Sequence, residues 1–110
     1  MSDEEIKIHR GLNNVYFDRT KTTYINGKEG VLEYRGYNIH DLSEKSSFEE
    51  VSYLLLYGKL PTKNELDAFN SSLKESREIP SQVIDIIKSI KDSHPMDVLR
   101  TAVSALSAFD

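Results

Sequence analysis

The chain has no cysteine and no tryptophan, only three prolines and five glycines, and no excess of cations. Without cysteine there can be no disulfide framework, no thiol nucleophile and no cysteine-bound zinc, and an intracellular, cytoplasmic location is expected. Little proline and glycine argues against a collagenous or low-complexity chain. Fourteen Lys and Arg face eighteen Asp and Glu, a net charge of −4, so nothing here would displace counterions from DNA or RNA or draw the chain to an anionic bilayer. Apolar runs are short, Leu54 to Tyr57 among them, against the ~20 residues a membrane span requires. The opening MSDEEIKIHRG is acidic and has no apolar h-region, so it does not read as a secretory signal. What is present is 110 residues with 38% apolar and 29% charged side chains, enough for one folded domain or a piece of one.

Residues 1–10 read as a flexible, charged terminus, and 11–110 as the folded part, with Leu12, Val15, Tyr16 and Phe17 as its first hydrophobic anchors. The stretches Thr22–Ile25 and Val31–Tyr34 place β-branched and aromatic residues on either side of Asn26-Gly27-Lys28-Glu29-Gly30. The pattern predicts a β-hairpin. Asn26-Gly27 favours a tight type I′ turn, while Gly30 leaves room for a longer loop. A lone hairpin is marginal, so it must lean on something larger.

From residue 42 onward the pattern is helical. Ser47 followed by Glu50 matches a capping box, Phe48, Val51, Leu54 and Leu55 keep helical spacing, and Gly58 and Pro61 supply the stop, which predicts a helix over about 48–57. Tyr53, Leu56 and Tyr57 widen its apolar face to nearly the whole circumference, the composition of a central helix with Leu55 in the core. Thr62 and Glu65 repeat the capping box, and Leu66, Phe69 and Leu73 mark one stripe of a peripheral helix ending near Ser76. Val83, Ile84, Ile86, Ile87 and Ile90 are β-branched, yet their spacing follows a period of 3.6, and spacing outweighs propensity. A last helix is expected over 96–109, after Ser93-His94-Pro95. Its stretch from Thr101 to Phe109 carries no charge and is rich in Ala and Ser, which permits close approach of another helix. That helix is expected to make a subunit or interdomain contact. No breaker follows it and Asp110 opposes the helix dipole, so the natural protein is expected to continue.

The fold class is therefore mainly α with a small hairpin. Among groups able to do chemistry, His9, His40 and His94 lack the spacing of a metal-binding pair. His94 stands where a ring nitrogen can cap the last helix, and an active-site role is the alternative; His40 with Asp41 reads as a solvated turn. Gly27, Gly30 and Gly36 form neither a dinucleotide fingerprint nor a P-loop. Glu49, Glu50, Glu75 and Glu78 sit at helix starts and exposed faces. Arg35 and Arg100 each need a carboxylate, a carbonyl or a ligand anion, structural pairing being the simpler answer. No catalytic, cofactor-binding or metal-binding residue is assigned.

Four blocks carry a resemblance: GLNNVYFDRTKTTYINGKEGVLEYRGYNIHDL, SSFEEVSYLLLYGKLPTKNELDAF, the REIP turn and HPMDVLRTAVSAL. Together they resemble the N-terminal part of citrate synthases, especially the shorter archaeal and bacterial enzymes and the related 2-methylcitrate synthases. The resemblance implies the opening part of a mainly helical large domain in a homodimeric enzyme that condenses oxaloacetate with acetyl-CoA. In such enzymes a carboxylate removes the methyl proton, one histidine hydrogen-bonds the enolate oxygen, a second polarises the oxaloacetate carbonyl, and arginines grip its carboxylates. Those residues belong to parts of the family's sequence beyond position 110, and His94 in the HPM block is distinct from them. A free-standing helical interaction module is the competing expectation. The expected substrates are small molecules, with no cofactor, no nucleic acid and no membrane.

Overall fold

The computed structural model describes residues 5–110. In chain order the elements are β1 (Thr23–Asn26), β2 (Val31–Tyr34), β3 (Tyr37–Asn38), α1 (Ile39–Lys45), α2 (Phe48–Tyr57), α3 (Lys63–Glu75), α4 (Ser81–Ser89) and α5 (Pro95–Leu106), with short 3-10 turns at Arg10–Leu12 and Ser107–Phe109. The expectation of a mainly α chain with a small sheet near its start is met. Two compact units are present, one reaching to Leu66 and one spanning Asp67–Asp110, and α3 runs across their boundary.

In the first unit, β1 and β2 form the expected antiparallel hairpin, with Thr23 opposite Tyr34 and Asn26 opposite Val31. The connection is the longer loop, not a two-residue turn at Asn26-Gly27. Asn26 Oδ1 accepts from the amides of Lys28 (3.2 Å) and Glu29 (3.3 Å), and Gly30 takes φ +68°. The two-residue turn lies one strand later. Tyr34 pairs with Tyr37 across Arg35 and Gly36, whose φ angles are +50° and +87°, the double left-handed geometry of a type I′ turn. This adds β3 and makes the sheet three-stranded, in the order β1-β2-β3.

Helix α1 starts immediately after β3, because Asn38 Oδ1 accepts from the His40 amide at 2.9 Å. His40 and Asp41 are solvent-exposed as expected, but the turn they occupy is the first turn of α1. Leu42, 3% exposed, anchors α1 where it packs on β2 and β3. Helix α2 opens as expected on Ser47, whose hydroxyl accepts from the Glu50 amide at 3.2 Å, and closes on left-handed Gly58, whose amide donates to Leu54 O at 2.8 Å. Its burial is one-sided. Leu54 is fully enclosed, but Leu55 is only half-buried, and Phe48, Leu56 and Tyr57 are exposed. A central helix buried all round is thus not what the described residues form.

The expected anchors Leu12, Val15, Tyr16 and Phe17 are also exposed, and 13–20 has no regular structure. Residues 1–4 of the expected flexible terminus lie outside the described residues, and 5–9 form no helix or strand. Leu12 and Asn14 both adopt positive φ, +59° and +58°.

Helix α3 carries the full reciprocal capping box: Thr62 Oγ1 accepts from the Glu65 amide (3.3 Å) and Glu65 Oε2 from the Thr62 amide (2.8 Å). It encloses no residue completely, in keeping with a peripheral position. In the second unit, α4 is a helix as its spacing demands and packs against α5. Val83 (1% exposed) and Ala102 (9%) are the buried residues of that unit. Alanine at 102 lets the helix backbones approach closely. Helix α5 ends at Leu106, tightening into the 3-10 turn over Ser107–Phe109 where a single helix to 109 was expected.

Candidate functional site

The residues singled out in the sequence do not converge. His94 is the N-cap of α5: its Nδ1 accepts from the Met96 amide at 3.1 Å, and Pro95 fills the first helical position, where a missing amide costs nothing. The cap expected of His94 is thus present. Arg100 pairs with Asp97 one turn earlier, Nη2 to Oδ1 at 3.1 Å, on an exposed face. His9 Nδ1 lies 3.3 Å from Asn13 O. Among the described residues no group of three or more His, Asp and Glu side chains could hold a metal ion.

Arg35 is the most constrained cation. The turn that carries it aims its guanidinium at the C-terminal end of α2, where Nη2 donates to Leu55 O at 2.9 Å. That oxygen is one of the last four carbonyls of the helix, without an intrahelical partner, at the negative end of the helix dipole. The guanidinium also covers Gly58: a Cβ built there would lie 3.8 Å from Arg35 Cζ. Nε is shielded from solvent and without a hydrogen-bond partner. The contact is structural, a clamp between sheet and helix.

A second polar cluster was not anticipated. Lys59 Nζ and Glu65 Oε1 are 2.8 Å apart, with Glu65 still bonded to the Thr62 amide through its other oxygen. The hydrogen bond from Lys59, followed by that from the Thr62 backbone, holds the Glu65 carboxyl below the usual glutamate range. The hydrogen bond to Glu65, then its charge, holds Lys59 above the usual lysine range. The capping box exposed Glu65 in the sequence, but Lys59 reaches it through the α2–α3 connection, which no periodicity reveals.

What the chain does present is apolar surface. Met96, Leu99 and Val103, at helical spacing on α5, are 63%, 56% and 58% exposed. A shallow hollow of about 320 Å³ in the second unit is lined by Glu78, Pro80, Leu106, Ser107, Phe109 and Asp110. Among the described residues no helix is long and apolar enough to cross a membrane.

These features define a class: a mainly helical stretch with a small antiparallel sheet and exposed apolar faces. The chain belongs to the citrate synthase family. The family model described as "Citrate synthase, C-terminal domain" matches residues 11–110. A citrate synthase of Deinococcus radiodurans is 49% identical over 104 residues, 94% of this chain and 28% of the relative. A 2-methylcitrate synthase 1 of Corynebacterium glutamicum is 44% identical over 111 residues, 100% of this chain and 29% of the relative. The crystal structure of citrate synthase from Pyrobaculum aerophilum superposes with a TM-score of 0.88 at 43% identity, covering 94% of this chain and 25% of that one. The chain thus spans between a quarter and a third of the length of these relatives.

Proposed function

We propose that the chain is the N-terminal helical stretch of the large domain of a citrate synthase, with residues 11–110 the start of that domain. The parent enzyme adds the methyl carbon of acetyl-CoA to the keto carbon of oxaloacetate, and water then cleaves the thioester to give citrate and free CoA. Its acid, base and carboxylate-gripping residues belong to the rest of the parent. The observation that carries this reading is the family match over 11–110, in a stretch where His94 caps a helix and Arg35 clamps the β2–β3 turn to α2. The role of the stretch is scaffolding beneath the active site.

The parent acts as a homodimer, in the cytoplasm, on small-molecule substrates. Support for a subunit contact comes from α5, whose face of Met96, Leu99 and Val103 is uncovered and whose last turns are free of charge. Burying such side chains on association is worth ~25 cal/mol per Å² of apolar area.

A second reading, a 2-methylcitrate synthase that uses propionyl-CoA, is favoured by the 44% identity to the Corynebacterium glutamicum protein of that name. Assaying the full-length parent for oxaloacetate-dependent CoA release with acetyl-CoA and propionyl-CoA separates the two. Preference for acetyl-CoA supports the first, preference for propionyl-CoA the second. An inactive parent, or a reading frame that stops after Asp110, would instead favour a helical interaction module.

A further inference from the structure

We draw no further inference here: the strongest candidate, the uncovered apolar face of α5 formed by Met96, Leu99 and Val103, belongs to the subunit contact already proposed for the parent, and nothing in the structure shows what else would cover it.

Discussion

Arg35 Nη2 donates to the main-chain oxygen of Leu55 across 2.9 Å, tying the β2–β3 turn to the last turn of α2. The contact resolves an apparent conflict in the sequence. Arginine is a poor occupant of left-handed backbone, yet Arg35 holds φ +50° beside Gly36 at +87°. The strain is offset by the charge-assisted hydrogen bond that this long side chain makes to an orphan carbonyl at the helix end.

Substitution separates the two effects. Arg35→Gly loses the clamp but relaxes the backbone, whereas Arg35→Ala loses the clamp and keeps the strain. Arg35→Ala is expected to cost about 1.5–3 kcal/mol, the range for a hydrogen bond to a charged group. Arg35→Gly should be milder by about 1 kcal/mol. Urea unfolding of the chain measures both; equal midpoints for the two variants would remove the strain from the explanation.

Leu54, rather than Leu55, is the enclosed position of α2. Leu54→Ala should destabilise by about 2–5 kcal/mol, the range for a buried leucine that leaves a cavity. Phe48 is 80% exposed, so Phe48→Ala should stay within about 0.5 kcal/mol in the chain by itself. Comparable losses at both positions would mean that α2 is buried on more sides than the described residues show.

The Lys59–Glu65 pair predicts a pH dependence with two edges. Glu65 is lowered in the folded state, so its contribution is present above the ordinary glutamate value, about 4.3, and fades as pH falls through the lower folded value. Lys59 is raised, so its contribution is present below the ordinary lysine value, about 10.4, and fades as pH rises through the higher folded value. Between those edges the pair contributes steadily, and salt should weaken it because both groups lie at the surface. Glu65→Ala should lower the thermal midpoint at neutral pH, with the gap to wild type narrowing under acid. A gap that is constant across the acid range would place the effect in packing and not in charge.

Much of this was legible in the sequence. Both capping boxes, the Gly58 stop, the His94 cap and the helical reading of the isoleucine-rich α4 follow from local rules of spacing and orphan amides. What was hidden depends on contacts between elements. The strand β3 escaped because Arg35 occupies a turn position usually held by asparagine or glycine, for a reason that lies twenty residues away at Leu55. Phe48, Leu56 and Tyr57 on the apolar circumference of α2, and the anchors Leu12, Val15, Tyr16 and Phe17, are exposed in a chain that spans about 28% of the Deinococcus radiodurans relative. Apolar composition identifies surface that wants a neighbour; it does not say whether that neighbour lies in the same stretch of chain. The active-site chemistry was legible only through the family resemblance, which implies that its residues belong to parts of the family's sequence beyond position 110.

The exposed face of α5 gives a direct test of the proposed subunit contact. Val103 is 58% exposed, so Val103→Glu puts a charge on that face without entering the core. Sedimentation of the chain should show concentration-dependent association, which Val103→Glu reduces. Association that is unchanged in the variant, or absent in both proteins, would locate the subunit contact elsewhere.

We propose that these 110 residues supply scaffold and not chemistry to a citrate synthase. The most direct measurement is thiol release from acetyl-CoA by the purified chain, with and without oxaloacetate. The expected rate equals the uncatalysed blank under both conditions, because the proposed reading assigns the base, oxyanion donor and carboxylate grip to the rest of the parent. Release of CoA that requires oxaloacetate and scales with the concentration of the chain would contradict the account.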